Sequence, residues 1–296
     1  MKLLITGASG LYGNRLAQLA KTKGYEVYSG YNKDKPKFGT PTQFDITNKK
    51  HTQQIFQKVQ PDTVVHAASL TNVDTCETHK QLAWKTNIQG TKNIVQAAKK
   101  NQSFLIFIST DYVFNGEKGN YQETDKPNPI NYYGQTKLLA EQQIQTLKNY
   151  CIARPSVIYG STPAANKTNF ALWVINQLKN NKPIKIATDQ TISPTLNTNL
   201  ADMTLEIAEQ KLNGIYHLSG ATPISRLDFT TKIAKTFNLN QNLILPVSIN
   251  DFSWPAKRPK NSSLNTNKAQ KTLSHKPQQI DQALQKLKEE LNTTLT

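Results

Sequence analysis

The sequence predicts an α/β protein, in which a doubly wound parallel sheet with helices on both faces precedes a small C-terminal lobe. Short apolar runs of the length of a buried strand recur through the first half of the chain, at LLIT, TVVHA and FLIFIS. Stretches with apolar residues at helical spacing separate these runs, as crossover helices separate parallel strands. The first run also leads directly into a glycine-rich turn, GASGLYG (7–13), that opens a helix.

The first half of the chain alternates strand and helix. Strands are expected at 2–6, 25–30, 42–45, 63–67, 104–109 and 150–154. Helices are expected at 11–23, 48–59, 80–100 and 132–148. Right-handed crossovers between such strands cover both faces of the sheet. Ligands of these sheets bind beyond the carboxyl ends of the strands, so the residues that follow each strand are the candidate site residues.

The alternation loosens in the second half. Helices are expected at 170–178, 200–210, 226–237 and 280–291, with strands at 184–187 and 214–220 and mostly loop over 241–276. We assign residues 1–155 to the main-sheet domain, expect 214–240 to return to it, and assign 156–296 mostly to the lobe.

The composition narrows the classes of function. The 296 residues carry 36 basic and 20 acidic side chains, a net charge of +16, but only four of the basic residues are arginine. Base readout usually relies on arginine and stacked aromatics, so we expect an anionic small substrate and no nucleic acid. Two cysteines and five dispersed histidines predict neither a disulfide framework nor a metal site. Without an apolar run of membrane or signal-peptide type, we expect a cytoplasmic protein with no membrane contact.

The glycine-rich turn predicts a dinucleotide site. Gly7, Gly10 and Gly13 allow a tight turn, a close approach to a pyrophosphate and close packing of helix on strand. The free N–H groups of the helix start then face the phosphate charge. The candidate cofactor contacts here are Gly7, Ser9, Gly10, Leu11, Tyr12 and Gly13.

The end of the second strand favours NADP(H) over NAD(H). An NAD site usually places an acidic residue there, but this strand ends in Gly30-Tyr31-Asn32-Lys33. Arg15 lies in the first turn of the helix that follows the glycine turn, and its guanidinium has the geometry to bind a 2′-phosphate. A solvated surface charge is the alternative for Arg15. Asn32 is a further candidate contact.

Tyr133 and Lys137 form a Tyr-x-x-x-Lys pair, whose spacing places both side chains on one helix face. An ammonium nearby favours the phenolate and would lower the phenol pKa from its usual value near 10. A chance pair is the alternative, because both residue types are abundant here. Thr110 and Asp111 follow the strand over 104–109, where Thr110 either donates to a substrate carbonyl or caps the turn.

These motifs together resemble a known family. With VVHAAS (64–69), NVDTCE (72–77), the helix of Asn87 and ARPSVIYG (153–160), they resemble the extended short-chain dehydrogenase/reductases. STDYVFNG (109–116), DQTISPT (189–195) and RPKNSSLNTNKA (258–269) resemble the dTDP-4-dehydrorhamnose reductase family. The resemblance runs from residue 1 to about residue 275. It implies a Rossmann-like domain in which NAD(P)H reduces the 4-keto group of a nucleotide sugar.

The resemblance also implies roles for individual residues. Tyr133 protonates the sugar oxygen, Lys137 holds the cofactor ribose and Thr110 binds the carbonyl. The implied cofactor contacts are Asp45, Ile46, Ala67, Ala68, Ser69 and Asn87, where a helix cap at Asp45 and a solvated Asn87 are the alternatives. The implied substrate contacts are Val73 and Asp74 in a loop, Thr110, Asp111, Asn169 and Arg258. Asp111 either orders the site or touches sugar hydroxyls, and Arg258 either clamps the diphosphate or is a solvated charge.

Three functions stay open at this point. A nucleotide-sugar reductase is the leading hypothesis, and a homodimer is expected because dimers are common in the family. A sugar-nucleotide epimerase or dehydratase would use the same Tyr-x-x-x-Lys pair. A non-catalytic NADP-binding subunit, as in the beta subunit of methionine adenosyltransferase, would keep the fold without the reaction.

Overall fold

The computed structural model describes residues 1–162 and 168–294. Its strands are, in chain order, β1 (Lys2–Thr6), β2 (Glu26–Tyr31), β3 (Thr40–Gln43), β4 (Thr63–His66), β5 (Phe104–Ile108), β6 (Tyr150–Ala153), β7 (Ser156–Tyr159), β8 (Ile184–Ala187), β9 (Thr191–Ile192), β10 (Pro194–Leu196), β11 (Gly214–Tyr216), β12 (Ile224–Ser225) and β13 (Ile244–Val247). Its α-helices are α1 (Leu11–Thr22), α2 (Lys49–Val59), α3 (Val73–Thr78), α4 (Lys80–Ala83), α5 (Gly90–Asn101), α6 (Tyr132–Ile144), α7 (Phe170–Lys179), α8 (Asn197–Gln210), α9 (Arg226–Thr236), α10 (Asn267–Thr272) and α11 (Ile280–Thr294).

The main sheet has seven parallel strands in the order β11-β6-β5-β4-β1-β2-β3. The predicted fold class is confirmed. The chain leaves β1 toward β3 on one side and continues from β4 toward β11 on the other, so the order reverses between β1 and β4. A crevice for ligands opens at such a reversal, beyond the carboxyl ends of the strands.

Two clusters of buried apolar side chains cover the two faces of the main sheet. One includes Leu16 of α1 and Leu205 of α8, and the other includes Phe56 of α2 and Ile94 of α5. Because helices cover both faces, β4 and β5 are buried along their whole length, and β5 is apolar throughout.

A third cluster forms the core of the lobe, where α7, α9 and α11 pack around β8. The second half of the chain nevertheless contributes to both parts, because α8 packs against α1 on the main sheet. Of the stretch 214–240, β11 pairs with β6 in the main sheet, whereas α9 packs in the core of the lobe.

The stretch 241–276 is mostly loop, as predicted, but it also contains β13, which pairs in parallel with β8, and α10, which packs on the main sheet. Two other local predictions need correction. Val73 and Asp74 lie in α3 rather than in a loop, because the Asn72 side chain accepts a hydrogen bond from Thr75 N and caps that helix. The long helix over 80–101 contains a wide π-helical turn at Trp84–Gln89. Among the described helices none is both long and apolar enough to cross a bilayer.

Candidate active site

The glycine turn brings the start of α1 against the end of β4. Gly7 adopts a φ of +71°, and a Cβ there would lie 2.8 Å from Ala68 N. A Cβ on Gly13 would overlap the carbonyl oxygen of Gly7 and lie 2.9 Å from Ala8 Cα. No side chain caps α1 at Gly10, which leaves the first N–H groups of the helix to an incoming anion. These features fit the pyrophosphate of a dinucleotide.

A cavity of about 300 Å³ continues from this turn along the ends of β2 and β4. It brings together five residues that sequence analysis predicted as cofactor contacts, namely Asn32, Asp45, Ile46, Ala68 and Ser69. Lys33 and Lys85 also line it, and Lys85 was missed because it lies in the π-helical turn, in the middle of an otherwise polar stretch. The cavity thus offers two ammonium groups and no arginine.

Arg15 does not face this cavity. Its Nη2 donates to Glu290 Oε1 at 2.6 Å, its Nε donates to Thr198 at 2.9 Å, and its Nη1 donates to Gln18 at 2.8 Å. The predicted contact of Arg15 with a 2′-phosphate is therefore wrong, because the C-terminal helix α11 supplies a carboxylate that binds the guanidinium away from this cavity.

Two further predicted contacts use their side chains elsewhere. The Tyr12 hydroxyl donates to Thr204 at 2.8 Å, so that only the main chain of Tyr12 faces the cofactor turn. Asn169 caps α7 by accepting from Leu172 N, and its amide donates to Gly160 O at 2.9 Å. Both side chains stabilise the fold, which corrects their prediction as ligand contacts.

Tyr133 and Thr110 meet at the carboxyl end of β5. A Cβ on Gly134 would overlap the carbonyl oxygen of Tyr112, so α6 begins in direct contact with the turn that follows Thr110. The Tyr133 phenol lies beside the Thr110 side chain, and its ring packs edge-on against Tyr112 at 6.2 Å between centroids. Burial raises the pKa of Tyr133 above its usual value, and the Thr110 side chain only partly opposes this. The expected lowering of that pKa by Lys137 is therefore wrong in this state of the protein.

Lys137 lies one helical turn after Tyr133 and is almost fully buried. Its Nζ donates to Ile108 O at 2.6 Å and lies 3.9 Å from the centroid of the Phe107 ring. Burial lowers the pKa of Lys137 to about 7, although Glu141 one turn further acts to raise it. Glu141 is itself bound to Arg154 by two hydrogen bonds, at 2.9 and 2.6 Å, so Lys137 has no carboxylate of its own.

Polar core residues hold the segment after β4 in place. The Asn87 amide oxygen accepts from Ser69 and from Leu70 N, and its nitrogen donates to Thr136, the residue before Lys137. His66 is fully buried, and burial lowers its pKa to about 3. Its Nδ1 lies 2.7 Å from Thr6 Oγ1, which in turn accepts from Ala68 N. Asn87 therefore connects Ser69 with the helix that carries Lys137.

Asp111 is buried beneath the site and orders it. Its Oδ2 accepts from Ser156 at 2.8 Å and from Ser262 at 2.6 Å, while its Oδ1 accepts from Thr110 at 3.1 Å. Burial raises the pKa of Asp111, and these three hydroxyls oppose that effect. Both carboxylate oxygens are thus occupied, which supports the ordering role over contact with sugar hydroxyls.

The predicted substrate residues Asp74 and Arg258 bind each other. Arg258 Nη2 donates to Asp74 Oδ2 at 2.7 Å, and its guanidinium lies 5.0 Å from the Trp254 ring. Burial acts to raise the pKa of Asp74, but the bond from Arg258 holds it below its usual value. Val73, at the start of α3, packs beside Tyr112 and Tyr133. Within residues 1–162 and 168–294, no cluster of three His, Cys, Asp or Glu side chains could hold a metal ion.

Comparison with known proteins identifies the family. Residues 1–293 match the family described as RmlD substrate binding domain. The chain belongs to this family. It is 32% identical over 301 residues to dTDP-4-dehydrorhamnose reductase of Aggregatibacter actinomycetemcomitans, covering 97% of this chain and 98% of that protein. It is 28% identical over 270 residues to methionine adenosyltransferase 2 subunit beta of Danio rerio, covering 89% of this chain and 82% of that protein.

The fold agrees with this assignment to the RmlD family. The crystal structure of dTDP-4-dehydrorhamnose reductase from Bacillus anthracis in complex with NADP superposes with a TM-score of 0.89 and 32% identity, covering 98% of this chain and 99% of that chain. The resemblance inferred from the sequence motifs is thus confirmed.

Sequence analysis of this RmlD-family chain missed one pair of residues beside Tyr112. Arg226 Nε donates to Gln190 Oε1 at 3.1 Å, and the Gln190 side chain lies near the Tyr112 hydroxyl. Gln190 stands in the motif at 189–195 that carried the resemblance. The rarity of arginine in this chain was the signal that could have drawn attention to Arg226.

Proposed function

We propose that this chain is an NADPH-dependent oxidoreductase that reduces the 4-keto group of dTDP-4-dehydrorhamnose. One observation carries the proposal: the buried phenol of Tyr133 lies beside the Thr110 side chain at the carboxyl end of β5, on the crevice edge that also holds the glycine turn. The reductases of the two organisms compared above support this choice of substrate.

The side chains of the site suit a proton donor to a developing alkoxide. Since burial raises the pKa of Tyr133, the phenol keeps its proton at neutral pH and can release it to the sugar oxygen as negative charge builds there. Thr110 hydrogen-bonds the same oxygen and fixes its position. Once the proton has left, the phenolate needs a cation, and Lys137 lies one helical turn away on the same face of α6.

The cofactor binds along the glycine turn and the cavity beside it. The N–H groups at the start of α1 would hold the pyrophosphate, and Asp45 and Ile46 would contact the adenine end from the cavity beside it. Lys33 and Lys85 replace Arg15 as the groups for a 2′-phosphate, which supports NADP(H) over NAD(H). Bound there, the nicotinamide supplies the hydride.

The same geometry weighs against a dehydratase and against a non-catalytic subunit. A dehydratase needs a further acid/base pair beside the tyrosine, but both oxygens of Asp111 are occupied by hydroxyl groups. A non-catalytic subunit needs no buried phenol beside Thr110.

The same proposal includes the roles of the two parts of the chain, a homodimer and the cellular compartment. Residues 156–296 form most of the surface that binds the sugar nucleotide, next to the cofactor domain of residues 1–155. The exposed apolar side chains of Trp84 and Leu139, on two elements that pack together, supply a surface for a homodimer. Both cysteines are buried free thiols, which supports a reducing compartment, the cytoplasm.

The test is oxidation of NADPH with dTDP-4-dehydrorhamnose and with the UDP- and GDP-linked 4-keto sugars. The Tyr133→Phe variant should lose about 10² to 10⁴ in kcat while its affinity for NADPH is unchanged, because only the transferred proton is removed. Tyr132→Phe, one residue earlier on the same helix, is the matched control and should keep full turnover. Wild-type protein that oxidises NADPH with none of the three sugars, or a fully active Tyr133→Phe variant, contradicts the proposal.

A further inference from the structure

Glu141 on α6 is a buried carboxylate held by three hydrogen bonds. Its Oε1 accepts from Ser109 Oγ at 2.5 Å and from Arg154 Nε at 2.9 Å, and its Oε2 accepts from Arg154 Nη2 at 2.6 Å. All three residues are buried, each with an exposure of 4% or less. Hydrogen bonds of this kind, above all those from a guanidinium, stabilise a carboxylate in its charged form.

Stability alone does not account for this ion pair. A buried pair is often no more stabilising than apolar residues of similar volume, because both charges lose their hydration. In the described parts of the chain, this pair also leaves Arg154 Nη1 buried without an acceptor, although the guanidinium carbon lies 5.2 Å from the centroid of the Phe114 ring. Apolar side chains would avoid both penalties, which points to a use for the charge of Glu141.

The charge of Glu141 faces Lys137. The two residues are one helical turn apart on α6, so their side chains share a helix face. They also bind neighbouring residues at the end of β5, since Lys137 Nζ donates to Ile108 O at 2.6 Å and Ser109 Oγ donates to Glu141. Arg154 binds both carboxylate oxygens, so Glu141 acts on the ammonium across space rather than through a hydrogen bond.

The other titratable groups that face Lys137 in the described structure are neutral near pH 7. Cys76 of α3 interacts electrostatically with Lys137, but burial raises the pKa of that thiol to about 11. His66 of β4 interacts with it too, and burial lowers the pKa of His66 to about 3. Tyr133 on the same face of α6 keeps its proton because burial raises its pKa. Of these groups, Glu141 is therefore the one whose negative charge favours the ammonium form of Lys137.

We propose that Glu141 is a positioning residue, whose charge keeps Lys137 an ammonium ion in the buried site. The inference rests on the proposed function, in which the phenolate left by Tyr133 needs a cation beside it. A neutral amine at this place would leave that phenolate buried without a compensating charge. Arg154 and Ser109 act one step further away, since they stabilise the charged form of the Glu141 carboxylate.

The first measurement is the titration of Lys137 itself, in the cofactor-free protein. NMR of protein labelled with ¹³C at the lysine Cε records it, and the signal is assigned by its loss in Lys137→Met. In Glu141→Gln the titration midpoint should fall by about 1 pH unit or more, because the opposite charge is removed while the burial remains. The matched control is Glu206→Gln, which removes another buried carboxylate, bound to Ser274 N and His275 N, and should leave the titration of Lys137 unchanged.

The second measurement is the pH profile of kcat for the reduction of dTDP-4-dehydrorhamnose by NADPH. Because the ammonium form is the active one, the alkaline limb should move to lower pH in Glu141→Gln, and kcat should approach the wild-type value toward the acid end. Loss of an ion pair that serves the fold alone would instead change kcat by the same factor at every pH. The double variant Glu141→Gln, Arg154→Met leaves no unpaired guanidinium in the core and should show both shifts in the same direction.

The outcomes separate the inference from the proposed reaction. If Lys137 titrates in Glu141→Gln as it does in the wild type, the inference is refuted even if the enzyme reduces its sugar. It is also refuted if the midpoint falls but kcat changes by the same factor at every pH. If the midpoint falls and none of the three 4-keto sugars is reduced, the effect of Glu141 on Lys137 stands and the proposed reaction fails. If Glu141→Gln does not fold, the double variant decides by the same criteria.

Discussion

Replacing Lys137 with methionine should stabilise the protein in the absence of cofactor while abolishing its activity. The ammonium is buried against Phe107 without a carboxylate of its own. A pKa lowered from 10.5 to about 7 means that the folded protein disfavours the charged amine by about 5 kcal/mol relative to the unfolded chain. Methionine has a similar length and no charge, and it loses only the bond to Ile108 O, worth about 1 kcal/mol.

The stability difference between Lys137→Met and the wild type should decrease as the pH rises. Between pH 7 and pH 10.5 the unfolded chain still holds the Lys137 proton that the folded protein has released, so the free energy of unfolding of the wild type rises with pH. The gain from this group between pH 7 and pH 9 is about 2 kcal/mol. Lys137→Met lacks it, and its advantage over the wild type should therefore fall from about 3 kcal/mol at pH 7 to about 1 kcal/mol at pH 9.

Urea unfolding of the cofactor-free protein at pH 7, 8 and 9 measures this difference. Lys148→Met, which replaces an exposed lysine just beyond the same helix, is the control and should show no such change with pH. A constant difference between Lys137→Met and wild type across this range would falsify the reasoning, because it would mean that the amine keeps its proton in the folded protein.

Two further variants test the cofactor side of the crevice. Gly13→Ala would place a Cβ against the Gly7 carbonyl, so NADPH affinity measured by fluorescence titration should fall by more than about tenfold. The control is Gly24→Ala, at a positive φ with open space around it, which should lower stability and leave NADPH affinity unchanged. Normal NADPH binding by Gly13→Ala would contradict the close packing of the turn. Replacing Lys33 and Lys85 together by alanine should weaken NADPH binding by about tenfold or more and leave NADH binding nearly unchanged, because the 2′-phosphate is the only difference between them. Lys50→Ala is the control for the latter, and an equal loss for both cofactors would rule out the 2′-phosphate assignment.

The sequence alone predicts those features that depend on residues close together in the chain. Apolar strands, helical spacing and the glycines at 7–13 depend on neighbouring residues, and the seven-stranded sheet follows from them. The role of Arg15 could not be inferred, because its partner Glu290 lies 275 positions further along the chain. The direction of the Tyr133 pKa was missed for a similar reason: spacing places Lys137 on the same helix face, but only packing decides that burial outweighs the charge.

The carboxylate of Asp111 also has a consequence for how the protein matures during synthesis. One of its hydroxyl donors, Ser262, is translated 151 positions later, and the Arg258 that binds Asp74 follows its partner by 184 positions. A nascent chain can therefore pair its first six main-sheet strands while the loop that carries Thr110 still lacks a donor for a buried charge. The hydrogen bonds that order the site can therefore all form only when nearly the whole chain has left the ribosome.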